Sequence, residues 1–166
     1  LVLVPSHRSH FDYLILSWLF YQNHLVPPQV AAGINLAFWP LGPIFRRAGG
    51  FFLRRSFDGD PLYTAVFRSY VQHLIKAGVT QEFFIEGGRS RSGKLLPPMF
   101  GMLHYVVDAY RRGKSEDVYL IPVAIAYDQI QDVGSYVEEQ RGGAKSRESL
   151  GWFVGVVRQL RRRYGD

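Results

Sequence analysis

Residues 4–14, Val-Pro-Ser-His-Arg-Ser-His-Phe-Asp-Tyr-Leu, crowd two histidines, two serines, an arginine and an aspartate between two apolar runs. Several chemistries can be written on this stretch. His7 followed by Asp12 gives a general base and the carboxylate that orients it, the pair that removes a proton from an attacking hydroxyl. His7, His10 and Asp12 also offer two imidazoles and a carboxylate, to which Glu86 could add a further metal ligand. No second histidine cluster at ligand spacing supports that reading, since the other histidines are His24, His73 and His104. Ser6 and Ser9 could be nucleophiles, but neither sits in a G-x-S-x-G elbow, and triads are not assembled from sequence neighbours such as Ser6 and His7. Finally, Ser9-His10-Phe11-Asp12 fits a capping box, with Ser9 as N-cap and Asp12 in the first turn. Capping and catalysis are compatible here. A helix opening at Ser9 turns Asp12 back toward the loop, where it can accept a hydrogen bond from His7. His10 then falls to a structural or substrate-adjacent place.

Two further loops supply cations. Gly50-Phe51-Phe52-Leu53 runs into Arg54-Arg55, and Phe83-Phe84-Ile85 runs into Glu86-Gly87-Gly88-Arg89-Ser90-Arg91-Ser92-Gly93-Lys94. An arginine pair at a strand end is either solvated or a positioned phosphate contact. Residues 88–94 satisfy G-x4-G-K, yet Leu95 stands where a P-loop needs Ser or Thr, and Leu96-Pro97-Pro98 cannot open the required helix. The same composition still makes an anion nest, because glycines permit the turn while Arg89 and Arg91 offer bidentate donors. Glu86, placed among these arginines, would pair with and orient them.

The elements that must carry these loops can be read from periodicity. Residues 1–5, 26–32, 50–53, 82–86 and 118–127 read as strands, the last of them the strongest. Residues 12–23, 61–77, 100–112 and 150–164 read as helices, and 34–47 as mixed helix and loop. On the helix over 61–77, Leu62, Val66, Tyr70, Val71, Leu74 and Ile75 share one face. Short apolar strands alternating with helices predict an α/β fold with a central mixed, largely parallel sheet flanked by helices. Ligands of such sheets gather at the strands' carboxyl ends. If the strands bearing His7, Arg54 and Glu86 are parallel neighbours, their loops converge on one crevice holding a base and a cationic nest.

Bulk composition bounds the rest. A chain of 166 residues with 47% hydrophobic residues is long and apolar enough for one domain with a real core. Its start on Leu1-Val2-Leu3-Val4, with no initiator Met, is expected of a piece from a longer polypeptide. Twenty Lys and Arg against fourteen Asp and Glu give a net charge of +6, which suits phosphate-bearing substrates, nucleic acid or an anionic membrane surface. With no cysteine, thiolate nucleophiles, disulfides and Cys-based zinc sites are excluded. Apolar runs stay well short of the ~18–20 residues that span a bilayer.

Taken in order, four blocks stand out: residues 7–12; residues 50–55; residues 84–93; and Ile121-Pro122-Val123 with Tyr127. In order and separation they resemble the four blocks of the glycerolipid acyltransferase superfamily. The text between them, VPPQVAAGINLAFWPLGPIFRRAGGFFLRR, is similar to the bacterial membrane-associated glycerol-3-phosphate acyltransferase branch. The resemblance covers nearly the whole chain and weakens after about Ser146. It implies transfer of a fatty acyl group from an acyl-CoA or acyl-carrier-protein thioester to the sn-1 hydroxyl of glycerol 3-phosphate, giving lysophosphatidate. It places the base at His7 with Asp12 as its partner. Arg54, Arg55, Glu86, Gly87, Gly88, Arg89, Ser90 and Arg91 take glycerol-3-phosphate binding, and Pro122 the acyl-donor side or the shaping of the site. No metal or cofactor is implied, since the thioester is already activated and serves as co-substrate. A phospholipid surface is the implied partner, at the cytoplasmic face of a bacterial cell membrane, and no nucleic acid. Dihydroxyacetone phosphate and 1-acyl-glycerol 3-phosphate are the neighbouring acceptors. A basic anion- or nucleic-acid-binding module is the non-enzymatic alternative; it predicts salt-steep binding and gives His7 no role.

Overall fold

Five short strands, each followed by a turn into a helix or loop, wind one parallel sheet. The computed structural model describes residues 1–9, 11–54, 56–57, 59–90 and 94–127. All of these fall in the compact unit Leu1–Gln131; a second unit, Asp132–Asp166, lies outside the described residues, as does the helix expected over 150–164. The elements are β1 (Val2–Pro5), α1 (Asp12–Gln22), β2 (Gln29–Gly33), a 3₁₀ turn (Ile34–Leu36), α2 (Leu41–Arg47), β3 (Gly50–Leu53), α3 (Pro61–Lys76), β4 (Gln81–Glu82), α4 (Gly101–Arg111) and β5 (Leu120–Val123).

The strand order is β3-β2-β4-β1-β5, and every described pairing is parallel. The chain leaves β1 toward β2 on one side and returns from β4 to β5 on the other. Right-handed crossovers then place the helices after these two neighbours on opposite faces. In an α/β sheet the ends of such neighbours are where a ligand binds, here outside the carboxyl ends of β1 and β4. One face carries the main core, in which Val2 and Phe83 pack with Phe67, Val71 and Ile75 of α3 and Tyr105, Val106 and Ala109 of α4. Side chains alternate along strands, so Leu3, Val30 and Glu82 point to the face left to α1 and α2.

Several boundaries differ from the sequence expectation, each for a local reason. β2 starts at Gln29, after Pro27 and Pro28, which have no N–H to pair; Gln29 N–H instead donates to Thr80 O at 2.7 Å. β4 is two residues long. Phe83 N–H still reaches Leu3 O at 3.2 Å, but the chain then turns, with Gly87 N–H donating to Phe84 O and Gly87 at φ +62°. At this positive φ a side chain is strained, so the turn favours glycine. β5 is a four-residue edge strand containing Pro122, shorter than the run from 118 to 127. On α3 the buried face is Phe67, Val71, Leu74 and Ile75, while Leu62, Val66 and Tyr70 are exposed. Phe67 shifts the face because it meets Phe51, Phe57, Tyr63 and Tyr105 in one aromatic cluster.

Candidate active site

Pro5 ends β1, and the chain crosses above the sheet before α1 begins at Asp12. The Asp12 side chain is fully buried and turns back over the loop. Its Oδ2 accepts hydrogen bonds from His7 Nδ1 at 2.9 Å, Arg8 N–H at 2.6 Å and Ser9 N–H at 2.8 Å; its Oδ1 accepts from the Tyr127 hydroxyl at 2.5 Å. Burial pushes the Asp12 carboxyl up, but the bonds from His7, Tyr127, Ser9 and Arg8 outweigh it and hold the group below its usual value. An ionised carboxylate only accepts, so the His7 Nδ1 carries a proton, and in the neutral ring Nε2 is then the nitrogen with the lone pair. The imidazole is buried, stacked on Phe84 with centroids 4.1 Å apart and met edge-on by Tyr13 at 5.2 Å. Ring plane, tautomer and orientation are thus all fixed.

The expected capping box is half formed. Phe11, not Ser9, is the N-cap and gives no side-chain cap bond. The return half is present, because Asp12 takes the Ser9 N–H, while Ser9 Oγ accepts from Phe11 N–H at 3.3 Å.

Glu86 has a different place from the one read in the sequence. It is buried, Oε1 accepting the His7 N–H at 3.0 Å and Oε2 the Leu96 N–H at 2.8 Å. It therefore binds backbone amides of two loops where pairing with arginines was expected. Ser90 joins the same loops, its N–H donating to His7 O at 2.7 Å and its hydroxyl to Lys94 O. The loops after β1 and β4 are one unit held by ties at His7.

The third loop does not converge equally. β2 and β4 separate β3 from β1, so Arg54 leaves the sheet roughly 14 Å from the strand bearing His7. Its guanidinium donates to Asp60 at 2.7 Å and lies 4.5 Å from the Tyr63 ring centroid, while its N–H donates to the Tyr63 hydroxyl. Gly88 and Arg89 stand half-buried in the loop after β4, beside Gly87. Arg55, Arg91 and His10 lie outside the described residues. Pro122 pairs in register with Val4. Next to it, Val123 O accepts Ser6 N–H at 2.9 Å and Ile125 N–H donates to Ser6 Oγ at 3.2 Å, which carries the chain on to Tyr127.

Two groups at the site had no assigned role in the sequence. Phe84, on which the imidazole stacks, was one apolar residue of a strand. Tyr127 belonged to the fourth block, where only its place at the end of the last expected strand signalled it. Beneath them, Glu82 is fully buried and its carboxyl oxygens have no hydrogen-bond partner. Burial, then the Asp12 charge, push it up to about 8.

The described strands form a parallel sheet with helices on it, and a buried His–carboxylate pair, an arrangement able to accept a proton, stands at the carboxyl edge. The acyltransferase family model matches residues 1–126, and the chain belongs to that family. A glycerol-3-phosphate acyltransferase of Aeromonas hydrophila is 51% identical over 161 residues, covering 97% of this chain and 20% of that protein, so the chain spans about a fifth of that relative's length. The crystal structure of the 1-acyl-sn-glycerophosphate (LPA) acyltransferase from Thermotoga maritima is also similar, at 19% identity and a TM-score of 0.46, over 99% of this chain and 68% of that one.

Proposed function

We propose that the chain carries the catalytic centre of a glycerol-3-phosphate O-acyltransferase that draws on an acyl-CoA or acyl-carrier-protein thioester. The His7 Nδ1–Asp12 Oδ2 contact of 2.9 Å is the observation that carries this reading, since it leaves Nε2 as a base of fixed direction. In the reaction, Nε2 takes the proton of the sn-1 hydroxyl as that oxygen attacks the thioester carbonyl. The tetrahedral intermediate collapses, the C–S bond breaks, and the imidazolium returns the proton to the departing thiolate. Asp12 stabilises the imidazolium between these steps. The thioester supplies the driving force, so the base and a phosphate clamp suffice.

The clamp is assigned to Arg54, Arg55, Arg89 and Arg91, with Gly87, Gly88 and Ser90 shaping the loop that presents them. Arg54 reaches the phosphate by leaving Asp60, an exposed pair that costs little to break. Glu86 serves this site by fixing the two loops, and Pro122 by its pairing with Val4 beside Ser6 and His7. Among the described residues no helix is long and apolar enough to cross a membrane. A membrane surface is nevertheless the proposed partner, at the cytoplasmic face of a bacterial cell. Trp39 is 78% exposed, and Ile44, Arg46 and Arg47 are exposed on α2 beside it, an aromatic and cationic edge suited to anionic headgroups.

The test is thiol release by the native protein, supplied with acyl thioester and glycerol 3-phosphate, then with dihydroxyacetone phosphate or 1-acyl-glycerol 3-phosphate. His7→Ala is expected to lower kcat by a factor on the order of 10²–10⁴, the usual contribution of a general base. Wild-type protein that releases no thiol with any of these acceptors would end the proposal. Rates that rank one of the other acceptors first would move the assignment to it.

A further inference from the structure

We infer that Tyr127 is a positioning residue for proton transfer, its hydroxyl clamping the Asp12 carboxylate that in turn sets the His7 imidazole. The inference rests on the reading of His7 and Asp12 as base and partner. Its basis is how the donors are divided between the two carboxylate oxygens. Oδ2 takes His7, Arg8 and Ser9, all from the loop that precedes Asp12 itself. Oδ1 takes Tyr127, which comes from beyond β5. A carboxylate gripped at one oxygen by its own loop moves whenever that loop moves. The bond to Tyr127 ties it to a different part of the sheet.

The delivery of that hydroxyl is itself built. Ser6, the residue before His7, donates its N–H to Val123 O and accepts Ile125 N–H at its Oγ, and Ile125 is buried. The segment carrying Tyr127 is thereby locked to the segment carrying His7, two residues from the phenol at one end and one residue from the base at the other. Without the phenol, Oδ1 of a fully buried carboxylate would lose the donor that reaches it from beyond β5, which raises the cost of its charge. The Tyr127 bond is one of those that hold Asp12 in its ionised form against burial. The titratable groups facing Asp12 among the described residues are His7 on the loop after β1, Tyr127 beyond β5 and Glu82 on β4. Glu82 is protonated at neutral pH, so it neither replaces the phenol as a charge partner nor opposes Asp12.

Tyr127→Phe keeps the ring and removes only the donor. In the native protein it is expected to lower kcat roughly tenfold or more, the worth of one hydrogen bond to a buried charge, with little change in KM for glycerol 3-phosphate. The acidic limb of the kcat profile should move as well, because the carboxylate beside the imidazole is altered. In an Asp12→Asn background the same substitution should cost almost nothing further. An unchanged kcat and acidic limb, or an equal loss in both backgrounds, would overturn the inference. The His7 Nδ1–H resonance of the resting protein gives a reading independent of turnover: it should shift or broaden in Tyr127→Phe. If wild-type protein proves inactive, the acyltransfer proposal fails while this resonance still decides the role of Tyr127.

Discussion

Glu82→Gln is a probe of the ground beneath the dyad, and its effect can be worked from the position of β4. That strand lies between β2 and β1, and the Glu82 side chain is fully buried on the α1 side, with no partner for its oxygens. In the folded protein its carboxyl is raised to about 8 from an ordinary 4.5, by burial first and the Asp12 charge second. Between these values the folded state holds one proton more than the unfolded state. Its contribution is therefore fully present below about pH 4.5 and is lost as pH rises to about 8. At about 1.4 kcal/mol per pH unit, the loss between 4.5 and neutrality comes to about 3 kcal/mol. Gln cannot ionise and shows no such slope. Its amide is equally unpartnered, but that offset is constant with pH. The assay is hydrogen exchange of β1 and β4 peptides in the native protein, which reads the opening of these strands directly. Comparing wild type with Glu82→Gln at each pH cancels the intrinsic exchange rates. Protection should fall in the wild type relative to the variant as pH rises from 5 to 8. A pH-independent difference, or a wild type that gains on the variant, would refute the reasoning.

Other outcomes follow from the same geometry. Arg54→Ala should raise KM for glycerol 3-phosphate roughly tenfold or more with kcat much less affected, as steady-state rates over a range of acceptor concentration will show. A fall in kcat at constant KM would instead tie Arg54 to the chemistry. Glu86→Gln turns an amide NH₂ toward either the His7 or the Leu96 N–H, and facing the buried His7 N–H it leaves that donor unpaired at a cost of about 1–3 kcal/mol. Faster exchange of the His7 and Leu96 amides is the expected readout, and unchanged protection at both would show that the carboxylate is not what joins the loops.

The local parts of this site were readable in the chain because they depend on spacing alone. With four residues between them, a turn brings the carboxylate that opens α1 back to the His7 ring, whatever lies beneath. β3 was bounded by its glycines and arginines, and α3 by Pro61 and its apolar period. The parts that were not readable depend on which strands lie side by side. Arg54 was to converge on His7 if their strands were neighbours; β2 and β4 stand between them, and no local pattern in GFFLRR encodes that order. Glu86 sits among arginines in sequence, yet in the fold its two oxygens are taken by the backbone amides of His7 and Leu96, and the His7 amide is buried and needs an acceptor. Tyr127 reaches Asp12 only because β5 pairs with β1.

Glu82 shows the same limit and also why the site needs it neutral. In the sequence it was the first residue of a strand reading Glu-Phe-Phe-Ile-Glu, one polar position among apolar ones. In the fold it is a second carboxyl close enough to Asp12 for their charges to interact. Two such groups cannot both ionise cheaply in a buried place, and their surroundings decide which one does. Asp12 has donors on both oxygens, and Glu82 has none. The single negative charge is thereby assigned to the carboxyl that touches His7. Removing donors from Asp12 weakens that assignment and favours a proton on the wrong group. Tyr127, Arg8 and Ser9 thus do more than hold the carboxylate still: they keep it charged in the presence of a competitor beneath it.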